Sequence, residues 1–143
     1  MATSENDLTE QLRNLELFAG VSDRHLKRIA RQMREFTFAE GDKVVADDDQ
    51  PSRGGRMFVI LDGTAEVRRN DELIATLGPG EHFGEMALLD GGPRSAAVVA
   101  TSSLRTATLA SWNFNPILTE EPEIALAIIK SLVARLRAAN EPR

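Results

Sequence analysis

The chain has 143 residues, a formal net charge of −5 and no cysteine, and its 42% hydrophobic and 27% charged residues are typical of one folded domain rather than a disordered chain. The absence of cysteine excludes disulfides, thiolate metal sites and thiol catalysis. The acidic balance argues against a general electrostatic affinity for nucleic acid, which needs clustered lysine and arginine.

No signal or transit sequence is recognisable in the polar, acidic segment from Met1 to Glu10. No apolar run approaches the roughly 18 residues that cross a bilayer. We therefore expect a cytoplasmic protein that does not bind membranes.

The first zone of the chain has a helical pattern. Leucines spaced four and three apart predict a helix that begins near Leu8. Gly20 interrupts the pattern, and Ser22 or Asp23 is expected to cap a second helix that runs toward Glu35.

The middle zone, from about Phe36 to Ser111, has the pattern of short β-strands. Turn signals separate these strands at Glu40–Asp42, Asp62–Gly63, Asn70–Asp71, Gly78–Gly80 and Gly91–Pro93. Apolar and polar residues alternate between Ala65 and Arg68, which indicates a strand with one buried face. Many short strands with frequent turns predict a sandwich, a barrel or a jelly roll.

The last zone is helical again. A short helix is expected over Asn113–Leu118, and Glu121-Pro122-Glu123 is typical of the start of a longer one. The longer helix carries an apolar stripe made of Ala125, Ile128, Ile129, Leu132, Val133 and Leu136. We expect this stripe to pack onto the β zone, and its width also allows a homodimer contact through the same helix.

No linker, repeat or low-complexity tract divides the chain. We therefore predict a single domain over residues 1–143, with residues 8–35 helical, 36–111 β and 113–140 helical.

One stretch, Gly78 to Val99, carries recognisable chemistry; it reads GPGEHFGEMALLDGGPRSAAVV. A glycine followed by the first turn of a helix, as at Gly84, leaves backbone N–H groups unpaired, and these can cradle an anion. Arg94 would add a planar guanidinium that binds a phosphate with two hydrogen bonds. The Ser95 hydroxyl and the Ala96 amide are further donors.

Glu85 is the informative residue of this stretch. A carboxylate repels a neighbouring phosphate, so it needs a task of its own, such as accepting a hydrogen bond from a sugar hydroxyl. A phosphate beside a free ribose hydroxyl describes a nucleotide.

The segments FGEMALL and PRSA resemble the phosphate-binding cassette of cyclic-nucleotide-binding domains. These domains occur in bacterial catabolite activator proteins, the regulatory subunit of cyclic-AMP-dependent protein kinase and cyclic-nucleotide-gated channels. The resemblance extends over LELFAGVSDRHLKRIA, the EGD turn, FVILDGTAEV and the last helix. It implies a mainly β fold with flanking helices: an eight-stranded β jelly-roll barrel with N-terminal helices and a C-terminal closing helix.

The resemblance also implies a ligand site. It comprises Gly84, Glu85, Met86, Ala87, Arg94, Ser95, Ala96, Val67, Ile74, Leu77 and Asn140. In such a site Glu85 holds the ribose 2′-hydroxyl, Arg94 pairs with the cyclic phosphate, and the backbone amides of Gly84 and Ala96 assist. Val67, Ile74 and Leu77 would line the base pocket.

Base preference and base cover follow from the same resemblance. Serine at position 95 goes with cyclic AMP in the family, whereas threonine there goes more often with cyclic GMP. The base is usually covered from late in the last helix, near Asn140.

We therefore expect a regulatory module, without catalytic residues, metal or cofactor, that binds cyclic AMP, or alternatively cyclic GMP. Bound ligand would draw the last helix over the pocket by population shift and so signal to a protein effector. Family members usually carry an output module after that helix. None follows before Arg143, so we expect no direct contact with nucleic acid, and the chain acts alone through a protein partner or is part of a longer one.

Two other functions remain open. One is an interaction domain that has kept the fold and lost ligand binding. The other is a metal-dependent enzyme, because His82 and Glu85 in GEHFGE resemble a fragment of a metal-binding cupin. A metal needs further ligands, and His25, on the second helix, is expected to be solvated. The acidic run Asp47–Asp49 lacks the spacing of a calcium loop and is expected to be a solvated loop.

Overall fold

The computed structural model describes residues 3–45, 55–91 and 96–141. The chain forms two compact units: a helical unit from Met1–Gln32 and Phe114–Arg143, and a β unit from Met33–Asn113. Among the described residues, no helix combines the length and the apolar character that a membrane span requires. That residues 1–143 form a single domain stays a prediction.

The N-terminal part of the helical unit contains α1 (Glu5–Arg13), a one-turn 3₁₀ helix (Glu16–Phe18) and α2 (Asp23–Gln32). The Ser4 hydroxyl caps α1 by accepting a hydrogen bond of 3.1 Å from the Asp7 N–H. Ser22 stands immediately before α2, and its carbonyl accepts from the Leu26 N–H at 2.9 Å. The His25 N–H also lies 3.5 Å from the Ser22 hydroxyl, in agreement with the predicted cap. The predicted second helix is confirmed, but it ends at Gln32 and not near Glu35.

Two helices follow the β-strands: α4 (Ser111–Glu120) and α5 (Pro122–Ala139). Pro122 begins α5, as the sequence predicts, because a first-turn residue needs no intrahelical N–H bond. The apolar stripe of α5 divides along its length. Ile128 is buried, whereas Ile129, Leu132, Val133 and Leu136 are exposed, so most of the stripe lies at the surface and is not packed as expected.

The described part of the β unit contains eight strands and, between the sixth and seventh of them, the short helix α3 (Glu85–Asp90). The strands are β1 (Arg34–Phe38), β2 (Lys43–Val45), β3 (Arg56–Asp62), β4 (Ala65–Arg69), β5 (Glu72–Leu77), β6 (His82–Phe83), β7 (Ala97–Ala100) and β8 (Leu104–Ala110). They form two antiparallel sheets, in the orders β1-β8-β3-β6 and β2-β7-β4-β5.

The mainly β fold with flanking helices and its eight strands are confirmed. The strands agree with the expected jelly roll, as two sheets that do not close into a barrel: within the described residues, no ladder joins an edge strand of one sheet to an edge strand of the other. Packing between the sheets holds them together instead, as in a sandwich. The core draws on both: Phe58, Ile60, Phe83 and Leu104 from the first, and Val45, Ala65, Val98 and Ala100 from the second.

The β4–β5 hairpin shows how the sequence sets the register. Arg69 pairs with Glu72, which leaves a two-residue turn at Asn70 and Asp71. Both turn residues have positive φ, 52° and 64°, as a type I′ turn requires for strands with right-handed twist. The predicted Asn-Asp turn is confirmed.

Candidate functional site

The helix α3 is the feature that marks the candidate site. It begins after Gly84, whose backbone is left-handed at φ 88° and ψ 8°, and it ends at Gly91 with φ 65°. Residues with a Cβ adopt these conformations at a cost, so glycine at both ends defines where the helix starts and stops. The Gly91 N–H donates to the Ala87 carbonyl at 2.8 Å and closes the last turn. This is the helix-forming turn that the sequence predicts.

Close packing against backbone holds α3 in place. Ala87 and Leu88 are buried, whereas Met86 is exposed. A Cβ added to Gly55 would lie 2.0 Å from the Ala87 carbonyl oxygen, which shows how closely the two backbones approach. The Gly55 carbonyl in turn accepts from the Ser111 N–H at 2.9 Å.

The N-terminal turn of α3 can interact with an anion. The first bond within the helix runs from the Leu88 N–H to the Gly84 carbonyl at 3.0 Å. The N–H groups of Glu85, Met86 and Ala87 precede it and therefore have no acceptor in the helix itself. Their partial positive charge favours a negative group near this turn.

Glu85 begins α3, and its side chain is only 20% exposed. Its Oε2 lies 3.7 Å from Nε2 of His82, the first residue of β6. The turn at Gly84 thus brings a carboxylate and an imidazole from consecutive elements to one place. Glu85, which is predicted to contact the ligand, is therefore the first residue of the helical turn that is predicted to bind the anion.

The second sheet places part of the expected base pocket beside the start of β7. Val67 pairs with Val98, and Ala96 directly precedes β7. Val67 and Leu77 are half-buried against the core. Ile74 differs from them, because it is 48% exposed on the edge strand β5.

Three predicted residues stand apart from these. Arg94 and Ser95 lie outside the described residues, as does the acidic run Asp47–Asp49. Asn140 is the exposed C-cap residue of α5 in the helical unit, and its N–H donates to the Leu136 carbonyl at 3.2 Å. The ligand roles assigned to all the site residues stay predictions.

The expectation that His25 is solvated is wrong. Its side chain is buried, with Nε2 3.0 Å from Glu121 Oε2 and Nδ1 3.1 Å from Ser22 Oγ. Arg28 binds the other oxygen of Glu121 at 3.1 Å. Hydrogen bonding to Glu120, with help from Glu121, raises the pKa of Arg28. The sequence carries no signal for the His25–Glu121 contact, because the two residues are 96 positions apart.

Metal ligation finds no further support in the described part of the chain. No three histidine, aspartate or glutamate side chains there converge in a way that could hold an ion. The His82–Glu85 pair therefore stands without a third ligand from these residues.

Comparison with known proteins identifies the family. The family model of the cyclic nucleotide-binding domain matches residues 35–121. This range contains α3 and the strands described above, apart from Arg34, the first residue of β1. The chain belongs to the cyclic nucleotide-binding domain family. Asn140 lies outside the matched region, whereas the other predicted site residues lie within it.

Related proteins carry different outputs. The chain is 25% identical over 138 residues to a CRP-like cAMP-activated global transcriptional regulator of Mycobacterium tuberculosis, covering 93% of this chain and 60% of that protein. It is 36% identical over 123 residues to a cyclic nucleotide-gated potassium channel of Mesorhizobium japonicum, covering 86% of this chain and 33% of the channel. The chain thus spans less than two thirds of either relative.

Solved structures agree with this assignment. The N-terminal domain of a transcriptional regulator from Streptomyces coelicolor superposes with a TM-score of 0.81 at 32% identity, over 91% of this chain and 94% of that one. The catabolite activator protein of Thermus thermophilus superposes with a TM-score of 0.69 at 27% identity, over 88% of this chain and 60% of that one.

Proposed function

We propose that this protein is a regulatory module that binds a 3′,5′-cyclic nucleotide reversibly and performs no chemistry on it. The observation that carries the proposal is α3. It is a one-and-a-half-turn helix between two left-handed glycines, with a largely buried Glu85 at its first position, inside the region that the family model matches.

The chemistry of a cyclic nucleotide fits the groups that surround α3. The cyclic phosphate carries one negative charge, which the first-turn N–H groups and the Arg94 guanidinium would neutralise. Glu85 would accept a hydrogen bond from the ribose 2′-hydroxyl, and the purine would lie beside Val67 and Leu77. The Ala96 amide, just before β7, would donate to the phosphate.

Cyclic AMP is the ligand that we propose in preference to cyclic GMP. The support is Ser95, which stands where the family resemblance associates serine with cyclic AMP. The names of the Mycobacterium regulator and of a kinase regulatory subunit from Mycosarcoma maydis, 31% identical over 116 residues, also refer to cAMP.

The proposed output is a shift between conformations. Bound cyclic nucleotide would favour the conformer in which α5 covers the base, with Asn140 near the purine, and a protein effector would read the change. The relatives include a transcriptional regulator, a channel and a kinase subunit, so one kind of binding module serves several outputs. We propose no direct contact of this polypeptide with nucleic acid or membrane.

The exposed face of α5 is the surface that we propose for a homodimer. Leu126, Ile129, Val133 and Leu136 are exposed and follow one another at intervals of three, four and three residues. This spacing is that of a coiled-coil seam, in which a second copy of the same helix is the matching partner.

Sedimentation tests the dimer with a matched pair of variants. Leu136→Glu places a charge on the apolar seam, whereas Ala138→Glu places the same charge on another side of α5. We expect the first variant to be monomeric at concentrations where the wild type and the second are dimeric. A monomeric wild type would overturn the dimer and leave the ligand proposal intact.

Calorimetric titration with cyclic AMP, cyclic GMP and AMP tests the binding function itself. We expect tight binding of cyclic AMP, weaker binding of cyclic GMP and little binding of AMP, which lacks the ring and carries more negative charge. Stronger binding of cyclic GMP would overturn the interpretation of Ser95. Binding of none of the three would instead support an interaction domain with a degenerate pocket.

A further inference from the structure

Met86 is a large apolar side chain that α3 leaves open to solvent. It is the second residue of the helix and is 68% exposed, whereas the next two residues, Ala87 and Leu88, are buried. The close approach of Ala87 to the backbone of Gly55 limits how far the helix can rotate. The Met86 thioether is therefore kept at the surface, one residue after Glu85.

The other methionines in the described part of the chain are buried. Met33 is 6% exposed, and the exposed fraction of Met57 is 0%. Oxidation of a side chain depends on access from solvent, which packing in a core prevents. Of these three methionines, Met86 is thus the one that a dissolved oxidant can reach without unfolding of the protein.

Hydrogen peroxide converts a methionine thioether to a sulfoxide. One peroxide oxygen forms a bond to the sulfur while the O–O bond breaks, and the second oxygen leaves as water with both hydrogens. The sulfur loses two electrons and the peroxide gains them, so no other reactant is needed. The product is a polar side chain whose oxygen carries a partial negative charge and accepts hydrogen bonds.

The position of Met86 relates this chemistry to the ligand site. A side chain in a helix leans toward the N-terminus of the helix and covers the turn before its own Cα. For Met86 that turn contains Gly84 and Glu85, where the sugar and the phosphate of a cyclic nucleotide are proposed to bind. A sulfoxide there would present a partly negative oxygen to an anionic ligand, whereas the thioether presents a neutral apolar surface.

We propose that Met86 is an oxidation site and that its sulfoxide weakens the binding of cyclic nucleotide. The inference rests on the proposed function and deepens it, because it adds control by peroxide to the same site. We expect the affinity for cyclic AMP to fall by about three- to tenfold on oxidation, the range for one polar contact. Bound cyclic AMP would in turn cover Met86 and slow its oxidation.

Peptide mapping after mild treatment with hydrogen peroxide tests the selectivity. Trypsin cleaves after lysine and arginine, so the four methionines of the chain fall in four different peptides. We expect the peptide with Met86 to gain one oxygen atom well before those with Met33 and Met57, and we expect cyclic AMP, but not AMP, to delay this gain. Oxidation of Met33 or Met57 as fast as Met86 would overturn the inference.

Calorimetric titration of the full chain with cyclic AMP, before and after peroxide, tests the effect on binding. Met86→Leu has an apolar side chain of similar size and no sulfur, so its affinity should be the same before and after treatment. Met33→Leu is the matched control and should lose affinity on treatment as the wild type does. Met86→Gln is polar without oxidation and should bind more weakly than the wild type before any treatment. Methionine sulfoxide reductases should restore the affinity of the oxidised wild type.

The untreated wild type separates the two proposals. If it binds cyclic AMP and full oxidation of Met86 leaves the affinity unchanged, the inference is overturned and the proposed function stands. A loss of affinity that persists in Met86→Leu would likewise overturn the inference alone, because it would place the damage at another residue. Untreated protein that binds no cyclic nucleotide would overturn both.

Discussion

The ring of Phe58 stacks on the ring of Phe83, with centroids 4.9 Å apart and planes inclined by 12°. The same two residues are paired in the ladder between β3 and β6. Phe83 directly precedes Gly84, where the backbone turns into α3. The stack in the core of the β unit therefore lies directly before the turn that we propose to bind an anion.

Removing the Phe83 ring should affect both stability and the site. Phe83→Ala leaves a cavity against Phe58, and we expect the free energy of unfolding to fall by about 3–5 kcal/mol. Urea denaturation measures the loss. Phe36→Ala is the matched control, because Phe36 is 50% exposed, and it should change the same quantity by less than about 1 kcal/mol. Equal losses in the two variants would contradict the role of the ring stack.

A methyl group at Gly55 should displace α3. Its Cβ would clash with the Ala87 carbonyl group, which is backbone and cannot move aside as the end of a flexible side chain can. We expect Gly55→Ala to destabilise the protein by about 1–3 kcal/mol and to weaken cyclic nucleotide binding. Gly78→Ala is the control, because no atom lies within 4 Å of its added Cβ, and it should bind like the wild type. Unchanged binding by Gly55→Ala would show that α3 tolerates the shift.

Local patterns in the sequence predict the elements that local chemistry determines. The Asn70–Asp71 turn and the helix between Gly84 and Gly91 follow from residues that favour those backbone conformations. The zones also agree with the structure to within three residues, since α1 begins at Glu5, β1 at Arg34 and α4 at Ser111. Such features depend on residues that are close together in the chain, so one sequence is enough to predict them.

Contacts between distant segments are what the sequence alone does not predict. His25 has a pattern typical of a solvated residue, and only folding brings Glu121 to its ring. The choice between two sheets and a closed barrel depends on which edge strands pair, and short alternating segments do not specify that choice. Apolar residues such as Ile129 have the same helical spacing whether their stripe is buried or exposed, so the spacing does not predict burial.

The His25–Glu121 contact should contribute to the stability of the helical unit. Glu121→Ala removes the carboxylate that lies 3.0 Å from the buried His25 Nε2 and 3.1 Å from the Arg28 guanidinium, and we expect a loss of about 1–3 kcal/mol in the free energy of unfolding. Glu123→Ala removes a carboxylate 3.9 Å from the same nitrogen, but its side chain is 76% exposed, so the loss should stay below about 0.5 kcal/mol. Thermal or urea unfolding of both variants separates the two cases. A larger loss for Glu123→Ala would mean that burial does not determine the strength of this contact.

Glu85 should distinguish ribose from deoxyribose. If its carboxylate accepts from the 2′-hydroxyl, the wild type should prefer cyclic AMP to 2′-deoxy cyclic AMP, by about 1.5–3 kcal/mol for a hydrogen bond to a charged group. Glu85→Ala should bind both analogues with nearly equal affinity. Competition titrations with the two nucleotides measure the preference. A preference that survives in the variant would assign the 2′-hydroxyl to another group.

Arg94 should contribute more than any other side chain to ligand affinity, because it would pair with the single charge of the cyclic phosphate. Truncation by Arg94→Ala leaves that charge without its main partner, and we expect a loss of roughly 3–5 kcal/mol, or about two to four decades in Kd. Arg31→Ala is the control, since Arg31 forms an exposed ion pair with Glu5 and should leave binding unchanged. Calorimetric titration of both variants with cyclic AMP compares them under one set of conditions. Near-wild-type affinity in Arg94→Ala would show that Arg94 does not bind the cyclic phosphate and would contradict the assignment of the site.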